Sequence, residues 1–504
     1  MNQASRSGVD VAGLQIVFPE ETFSGEANDR TSDGEAAEVA YREAAHRPEA
    51  RSGSFVLRSQ TDPNSPPPTG ASPEGASSLV CDAPQRKRKW YSLYDKVYAV
   101  PNLQIAWERV QANRGAPGVD GNTVRKFEAD VEVHLAALSE DLRAKTYRPQ
   151  PVRRVYIPKS NGGKRPLGIP TVRDRIVQQA LHQILSPIFE AKFSPRSHGF
   201  RPERGCQTAL EVVDQAIKVG YEWVVDADLQ AFFDTVNHER LLDAVNEEVS
   251  DGSVLLLIRR ILQAGVMEPG AGEVEPTELG TPQGGPISPL LANIHLHAFD
   301  ERMVQARVGL VRYADDFVLF AKSEEEATAA LALAREVLED ELGLRLHPEK
   351  TRVVSVTAGF EFLGYHYYRN PKTGRLRKEV RRKSAQRFRD AIRERTPRLK
   401  GQRKPKAKHI TLARLRENPR IREMIGSVNR YLKGWHGYFR AVNPEWKSPF
   451  RDFDAFVRRR LRSAIVGRTG NGWWDTRITN EWLHLLGLLS LDADLRAKNP
   501  RRGG

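Results

Sequence analysis

The chain is 504 residues long, 28% charged and 39% hydrophobic, an ordinary soluble balance with length for two or three domains and a substantial core. No apolar run approaches the roughly 18 residues of a membrane span and no signal-peptide core opens the chain, so neither a helical membrane protein nor a secreted one is expected. Cysteine occurs only at Cys81 and Cys206, which argues against a disulfide framework and against a zinc site of paired cysteines.

The formal net charge of +14 hides a division. Residues 1–85 carry 6 basic and 13 acidic side chains, net −7, whereas residues 86–504 carry 72 basic and 51 acidic ones, net +21. The acidic segment has little periodicity, and residues 62–76 hold five prolines among Ser, Gly and Thr, a composition that predicts disorder and dispensability to the fold. The basic body, opened by Arg86, Lys87, Arg88 and Lys89, favours a polyanion whose affinity falls with salt.

Residues 90–107 read as the first ordered helices. Residues 154–158 and 164–169 read as two strands joined at Asn161-Gly162, a hairpin whose Lys159, Lys164 and Arg165 could grip a triphosphate. Arg suits bidentate phosphate contact and Lys supplies a point charge; a solvated basic hairpin is the competing reading. In residues 173–185, Ile176, Ala180 and Ile184 lie beside Val177, Leu181 and Leu185, an amphipathic helix whose apolar residues are core and not site.

A short apolar strand from Trp223 to Val225 runs straight into Asp226, Ala227 and Asp228. Further on, residues 280–289 form a Gly/Pro loop. Gly284 and Gly285 would let the backbone approach a ligand, and Gln283 would hydrogen-bond a sugar or base edge. Ser288 is expected to cap the following helix, with Pro289 in its first position. Then Tyr313, Ala314, Asp315 and Asp316 interrupt the apolar stretch 308–321, where Val311, Phe317, Val318, Leu319 and Phe320 read as two buried strands with a tight turn at the acids. Close carboxylates from separate segments repel unless cations lie among them. Asp228, Asp315 and Asp316 therefore meet the needs of a site holding two divalent ions about 3.5–4 Å apart, one activating an attacking hydroxyl and one bridging a triphosphate. An exposed Asp-Asp turn and a solvated strand end are the plainer alternatives.

After residue 365 the pattern reads as helical. Residues 369–408 hold 18 Lys and Arg against 3 acids without the matching apolar face of a membrane-surface helix, so a polyanion is again the expected partner. Ile425, Val428, Leu432, Trp435 and Phe439 fall at helical spacing, with Arg430, Lys433, His436 and Arg440 on neighbouring faces.

These blocks, in this order, resemble the group II intron reverse transcriptases, also called intron-encoded maturases. The likeness begins at residues 114–121, centred on Pro117-Gly118-Val119-Asp120-Gly121. It continues through residues 156–170, the Ser197-His198-Gly199-Phe200-Arg201-Pro202 block, the Asp226 to Asp234 segment and the Gly-Gly-Pro-Ile-Ser-Pro loop. The Tyr-Ala-Asp-Asp turn, Glu349-Lys350-Thr351 and Phe362-Leu363-Gly364 complete it, so that it spans roughly residues 90–465. The resemblance implies an α+β right-hand polymerase: fingers and palm, with an antiparallel palm sheet, over 86–365, a helical thumb or maturase domain over 366–465, and a short end segment over 466–504. It implies RNA-directed DNA synthesis with two Mg2+ ions at Asp228, Asp315 and Asp316. Incoming dNTPs would meet Lys159, Lys164, Arg165, Gln283 and Phe233, the last as a gate against the 2′ hydroxyl, or else as ordinary core. Template and primer would meet Gly284, Gly285, Lys350, Leu363 and Gly364, and intron RNA would meet Arg381, Arg382, Lys383, Arg430 and Lys433. The further implications are help in splicing and mobility of the intron, a DNA target, and a cytoplasmic, nucleoid-associated location. No Cys follows residue 206, so the Cys-rich His-Asn-His nuclease of many relatives is expected to be absent. Two rival readings are an RNA-binding maturase without polymerase activity and a related enzyme recruited to host defence or repair.

Overall fold

The computed structural model describes residues 89–158, 163–270, 274–281, 283–397, 410–442, 450–466 and 478–493. Residues 1–85, expected to be disordered, lie outside them, as does Lys159 of the fingers hairpin. Among the described residues, strands β1 (Val152–Pro158), β2 (Lys164–Ile169), β3 (Trp223–Asp228), β4 (Val266–Met267), β5 (Val274–Glu275), β6 (Gly309–Tyr313), β7 (Asp316–Ala321), β8 (Arg352–Ser355), β9 (Phe360–Phe362), β10 (Tyr365–Arg369) and β11 (Leu376–Val380) form three sheets.

The fingers sheet runs β2-β1-β4-β5, built on the antiparallel β1–β2 hairpin that pairs Pro158 with Lys164. Helix Val172–Glu190 follows β2, packs on helix Val100–Ala112 and buries Ile176, Val177, Ala180, Leu181 and Leu185, as the periodicity requires. The palm sheet runs β6-β7-β3-β8 and is antiparallel throughout. Period-2 alternation divides its side chains between two cores. Val225, Ala227, Phe317 and Leu319 join the core of the fingers and palm helices. Val224, Val311, Val318 and Phe320 face the other way, into a core shared with β9, β10 and the C-terminal helices. Palm and thumb are thus welded through one face of the sheet.

The helical reading after residue 365 needs correction, because β10 and β11 come first. Strand β11 hides its alternation behind charge. Lys378, directly opposite Tyr367, is only 4% exposed, reaches Asp214 at 2.6 Å and lies near the Tyr365 and Tyr367 rings. A paired, buried Lys sits where a sequence pattern expects an apolar residue. The domain boundary drawn after residue 365 consequently cuts through the β9–β10–β11 sheet. Helices Arg382–Arg395, Pro419–Phe439 and Phe450–Val466 follow, joined by an aromatic cluster in which Trp435 lies 4.5 Å from Phe388 and 4.8 Å from Phe453. Each such pair contributes about 0.5–1.5 kcal/mol beyond its buried area. On the middle helix Ile425, Val428, Leu432, Trp435 and Phe439 are all buried, and so is His436, packed on Phe450.

Residues 478–493, expected as part of a short end segment, close onto this thumb core. Ile478, Leu483 and Leu491 are buried in it. Arg462 Nε donates to the Ile478 carbonyl at 2.7 Å, and buried Asp454 accepts from Ser490 Oγ at 2.6 Å and from the Leu491 amide at 3.0 Å. Asp454→Ala leaves these donors without their acceptor, and the expected loss is about 1–3 kcal/mol of stability in urea unfolding, with faster hydrogen exchange in residues 488–492. Unchanged exchange there would mean that the segment is held by its apolar residues alone.

Candidate active site

Register brings the acids together. In the β3–β7 pair Asp228 stands directly opposite Asp316, and Asp226 stands opposite Val318, so both acids of β3 and Asp316 project from the face that carries Val224 and Phe320. Asp315 occupies the two-residue connection between β6 and β7, closed by the Tyr313–Asp316 pair. Ala314, its other residue, has φ 57°, in the left-handed region where a Cβ is disfavoured.

What holds that turn is a buried arginine. Arg312, fully buried, is forked onto Asp300 (Nε to Oδ1 2.7 Å, Nη2 to Oδ2 2.5 Å) and donates through Nη1 to Asn293 Oδ1 and to the Ala314 carbonyl, each at 3.0 Å. Asn293 donates in turn to the Gly199 carbonyl at 2.9 Å. A Cβ on Gly199 would lie 2.3 Å from the Ala314 nitrogen, which is why the Ser197–Pro202 block needs glycine there. None of Arg312, Asp300 and Asn293 was singled out by sequence reading. Two signals were available: an arginine inside an apolar strand beside the acids, and an Asn and an Asp seven residues apart on one helix face.

Electrostatics mark the same point. Loss of surrounding water, then the Asp228 charge, raises the pKa of Asp315, opposed by Arg165 and Arg312. The same two causes, loss of water and then the charges of Asp315 and Asp228, push Asp316 up to about 8, opposed by Arg381. Asp316 keeps one side open to solvent, so repulsion among the three acids, which needs no burial, is the cause that carries this direction. Lys350, expected at template or primer, instead places its ammonium 2.5 Å from Asp228 Oδ2, and Arg352 pairs with Asp226 at 3.0 Å. No group of three or more His, Cys, Asp or Glu side chains among the described residues is gathered closely enough to hold an ion unaided. The donor set nevertheless fits a hard divalent cation: it is all oxygen, it repels itself, and it already draws an ammonium. Mg2+ characteristically uses one or two carboxylates and completes its shell with water and substrate phosphates.

The fingers contribute beside these acids. Arg165 Nε donates to Gln283 Oε1 at 3.2 Å, and the Gly168 amide donates to the Gln283 carbonyl at 2.7 Å, docking the Gly-Gly loop on β2. Gly284 has φ 120°, and a Cβ there would meet the Gly168 oxygen at 2.5 Å; one on Gly285 would meet Gln178 Oε1 at 2.5 Å. The close approach these glycines permit is to the protein's own fingers. Lys164 is exposed near the Tyr156 ring. The helix after the loop runs Ser288–Gln305 with Ile287 as its cap, so Ser288 is the first helical residue and not the cap; its hydroxyl accepts from Thr281 Oγ1 at 2.9 Å. Phe233 is 5% exposed and lies edge-on to Phe232, the two ring centroids 5.2 Å apart.

Leu363 and Gly364 form the β9–β10 turn, with φ 46° and 80°. The thumb clamps this turn: Tyr438 Oη donates to the Leu363 carbonyl at 2.9 Å, and the Arg381 amide donates to the Gly364 carbonyl at 3.1 Å. Arg381 therefore separates from its neighbours. It is half-buried near Glu361 (3.6 Å) and bonded to Ser384, whereas Arg382, Lys383, Arg430 and Lys433 are exposed.

Residues 157–367 match the reverse transcriptase (RNA-dependent DNA polymerase) family model, and residues 403–482 match the group II intron, maturase-specific domain. The chain is 38% identical to Protein YkfC of Escherichia coli over 298 residues, 51% of this chain and 78% of that one. It is 40% identical to the group II intron-encoded protein LtrA of Lactococcus lactis over 207 residues, 40% of this chain and 34% of LtrA. The chain belongs to the group II intron reverse transcriptase and maturase family. Its palm is that of an RNA-directed DNA polymerase, a family that uses divalent metal ions and binds nucleic acid. Among solved structures, a partial Cas6-RT-Cas1–Cas2 complex matches at 25% identity and TM-score 0.32, covering 49% of this chain and 41% of that one, too loosely to bear on the fold. No helix among the described residues is long and apolar enough to cross a membrane.

A carboxyl whose folded pKa lies above its ordinary value stabilises the fold at low pH and loses that contribution as pH rises through the folded value. For Asp316 the window runs from about 3.8 to about 8. In metal-free buffer Asp316→Asn should match the parent in Tm near pH 4 and exceed it increasingly up to pH 8.5. A Tm difference independent of pH would show that the three acids do not crowd one another.

Proposed function

We propose that this reverse transcriptase copies group II intron RNA into DNA by a two-Mg2+ mechanism at Asp228, Asp315 and Asp316, and that its thumb holds the intron RNA and assists splicing and mobility. The observation that carries the proposal is the meeting of three mutually repelling carboxylates at one sheet end, with Arg165 and Gln283 beside them. Bound there, the ions would lower the pKa of the primer hydroxyl and neutralise the triphosphate. The chain's own residues do the rest. Arg165 and Lys164 orient the phosphates of an incoming dNTP, with Gln283 toward its sugar or base edge. Lys350 moves off Asp228 when a stronger cation arrives, which leaves a mobile positive charge at the site. The Leu363–Gly364 turn, its two carbonyls held by Tyr438 and the Arg381 amide, presents its partly open outer side to the primer end. Arg382, Lys383, Arg430 and Lys433 supply sequence-independent phosphate contacts.

Asp228→Ala or Asp315→Ala should abolish primer extension on an RNA template while leaving RNA affinity and its salt dependence near those of the parent. Near-normal extension by either variant overturns the metal assignment, whereas loss of extension together with RNA binding points to a folding defect.

For Phe233, gate and core readings diverge in nucleotide choice. As a gate its ring excludes the ribose hydroxyl by collision, so Phe233→Ala should admit ribonucleotides without any new attractive contact. The measurement is the ratio of kcat/KM for a deoxynucleotide and its ribonucleotide on one RNA template. Both values falling together with the ratio unchanged would make Phe233 packing, in keeping with its burial.

A further inference from the structure

We propose that Arg312 is a positioning residue for catalysis: through its bond to the Ala314 carbonyl it sets the orientation of the Ala314–Asp315 peptide and so where the Asp315 carboxylate sits. The proposal rests on the polymerase reading of Asp315 given above. Four observations converge on it. Arg312 spends its guanidinium on three partners, Asp300, Asn293 and Ala314, and only the last lies in the turn that carries the acid. Ala314 is held at φ 57°, a conformation that an unsupported alanine would leave. The turn cannot relax toward the Gly199 loop, whose backbone already lies against the Ala314 nitrogen. The backbone of Arg312 is itself fixed on that side, its amide donating to the Arg196 carbonyl at 3.0 Å and its carbonyl accepting from the His198 amide at 2.9 Å.

Asn293 and Asp300 belong to helix Ser288–Gln305, which continues directly from the Gly-Gly loop docked on the fingers hairpin. One buried guanidinium therefore joins the helix of the nucleotide-side loop to the metal-side turn. A shift of that helix reaches Asp315 through two hydrogen bonds. A simple buried ion pair would need only Asp300; the two additional acceptors are what make Arg312 a ruler for the turn.

The test uses the full chain and two variants. Arg312→Met combined with Asp300→Leu removes both charges together, a replacement that buried pairs commonly tolerate in stability, and deletes the Ala314 bond. Should that variant fail to fold, Asn293→Ala keeps the ion pair and loosens the guanidinium and the Gly199 carbonyl instead. Three quantities are read: Tm, hydrogen exchange of residues 313–317 in the metal-free protein, and single-turnover extension at saturating template–primer and dNTP over a Mg2+ titration. The expected result is a folded variant with template–primer affinity kept, faster exchange confined to the turn, a severalfold higher Mg2+ midpoint and a rate lowered by about 10²-fold, the scale for a reacting group misplaced by an ångström. Normal exchange in the turn, or a normal rate and Mg2+ midpoint in a folded variant, overturns the proposal and leaves Arg312 a scaffold residue. If Asp315→Ala retains synthesis, the polymerase assignment of Asp315 fails, and the exchange measurement still decides whether Arg312 positions the turn.

Discussion

The pairing of Asp228 with Asp316 across β3 and β7 constrains nearly everything else in this molecule. A one-residue slip in that register would send Asp226 and Asp228 to the opposite face, into the core of the fingers and palm helices. The register is fixed by what lies further along the same strands: Val224 against Phe320 on one face, Val225 against Leu319 on the other, all of them buried. Apolar burial of this size, about 1.5–3 kcal/mol for each such side chain, outweighs the repulsion among a few partly solvated acids. The like charges are held together because the sheet has no cheaper arrangement, and that stored repulsion is what a divalent cation bound as proposed would relieve.

Cations of the protein itself are deployed around this cost in a graded way. Arg312 is wholly buried and spent on structure; breaking its pairing with Asp300 from one side would cost about 3–5 kcal/mol. Arg352 on Asp226 and Lys350 on Asp228 lie at more open positions, where an ion pair is worth about 1 kcal/mol or less and can be exchanged. Affinity for substrate and template requires this second class, because a charge already committed to a buried partner cannot be lent to a phosphate. Arg381, tied to Ser384 and near Glu361, stands between the two classes, while Arg382 and Lys383 beside it are open.

Palm and thumb are joined by more than a linker. Val224, Val318 and Phe320 of the palm share one apolar core with Phe362 and Tyr365 and with the thumb aromatics Phe388, Trp435 and Phe439. Tyr438 then ties the thumb helix to the Leu363 carbonyl. A movement of the thumb against template and primer is therefore felt at the turn expected to grip the primer end, and through the shared core at the back of the acid-bearing sheet.

Sequence alone determined the elements whose pattern is local: the short apolar runs of β3, β6 and β7, the helical spacing around Trp435, and the acids placed at a strand end and at a turn. Family membership followed from the order of those blocks. Tertiary structure decided what depends on partners distant in the chain. Strand β11 was hidden because the residue that completes its buried face is a lysine, made tolerable by Asp214, 164 residues away. Ser288 was misread as a cap because its hydroxyl is engaged by Thr281; it is the first helical residue, and Ile287 takes the cap position. Gly284 and Gly285 had the signature of ligand approach, yet the atoms that crowd them belong to Gly168 and Gln178. The partners that make Arg312 tolerable in an apolar strand were hidden for the same reason. A buried charge is stable only with its counter-charge, and the identity of that counter-charge is a fact of packing that no periodicity along the chain encodes.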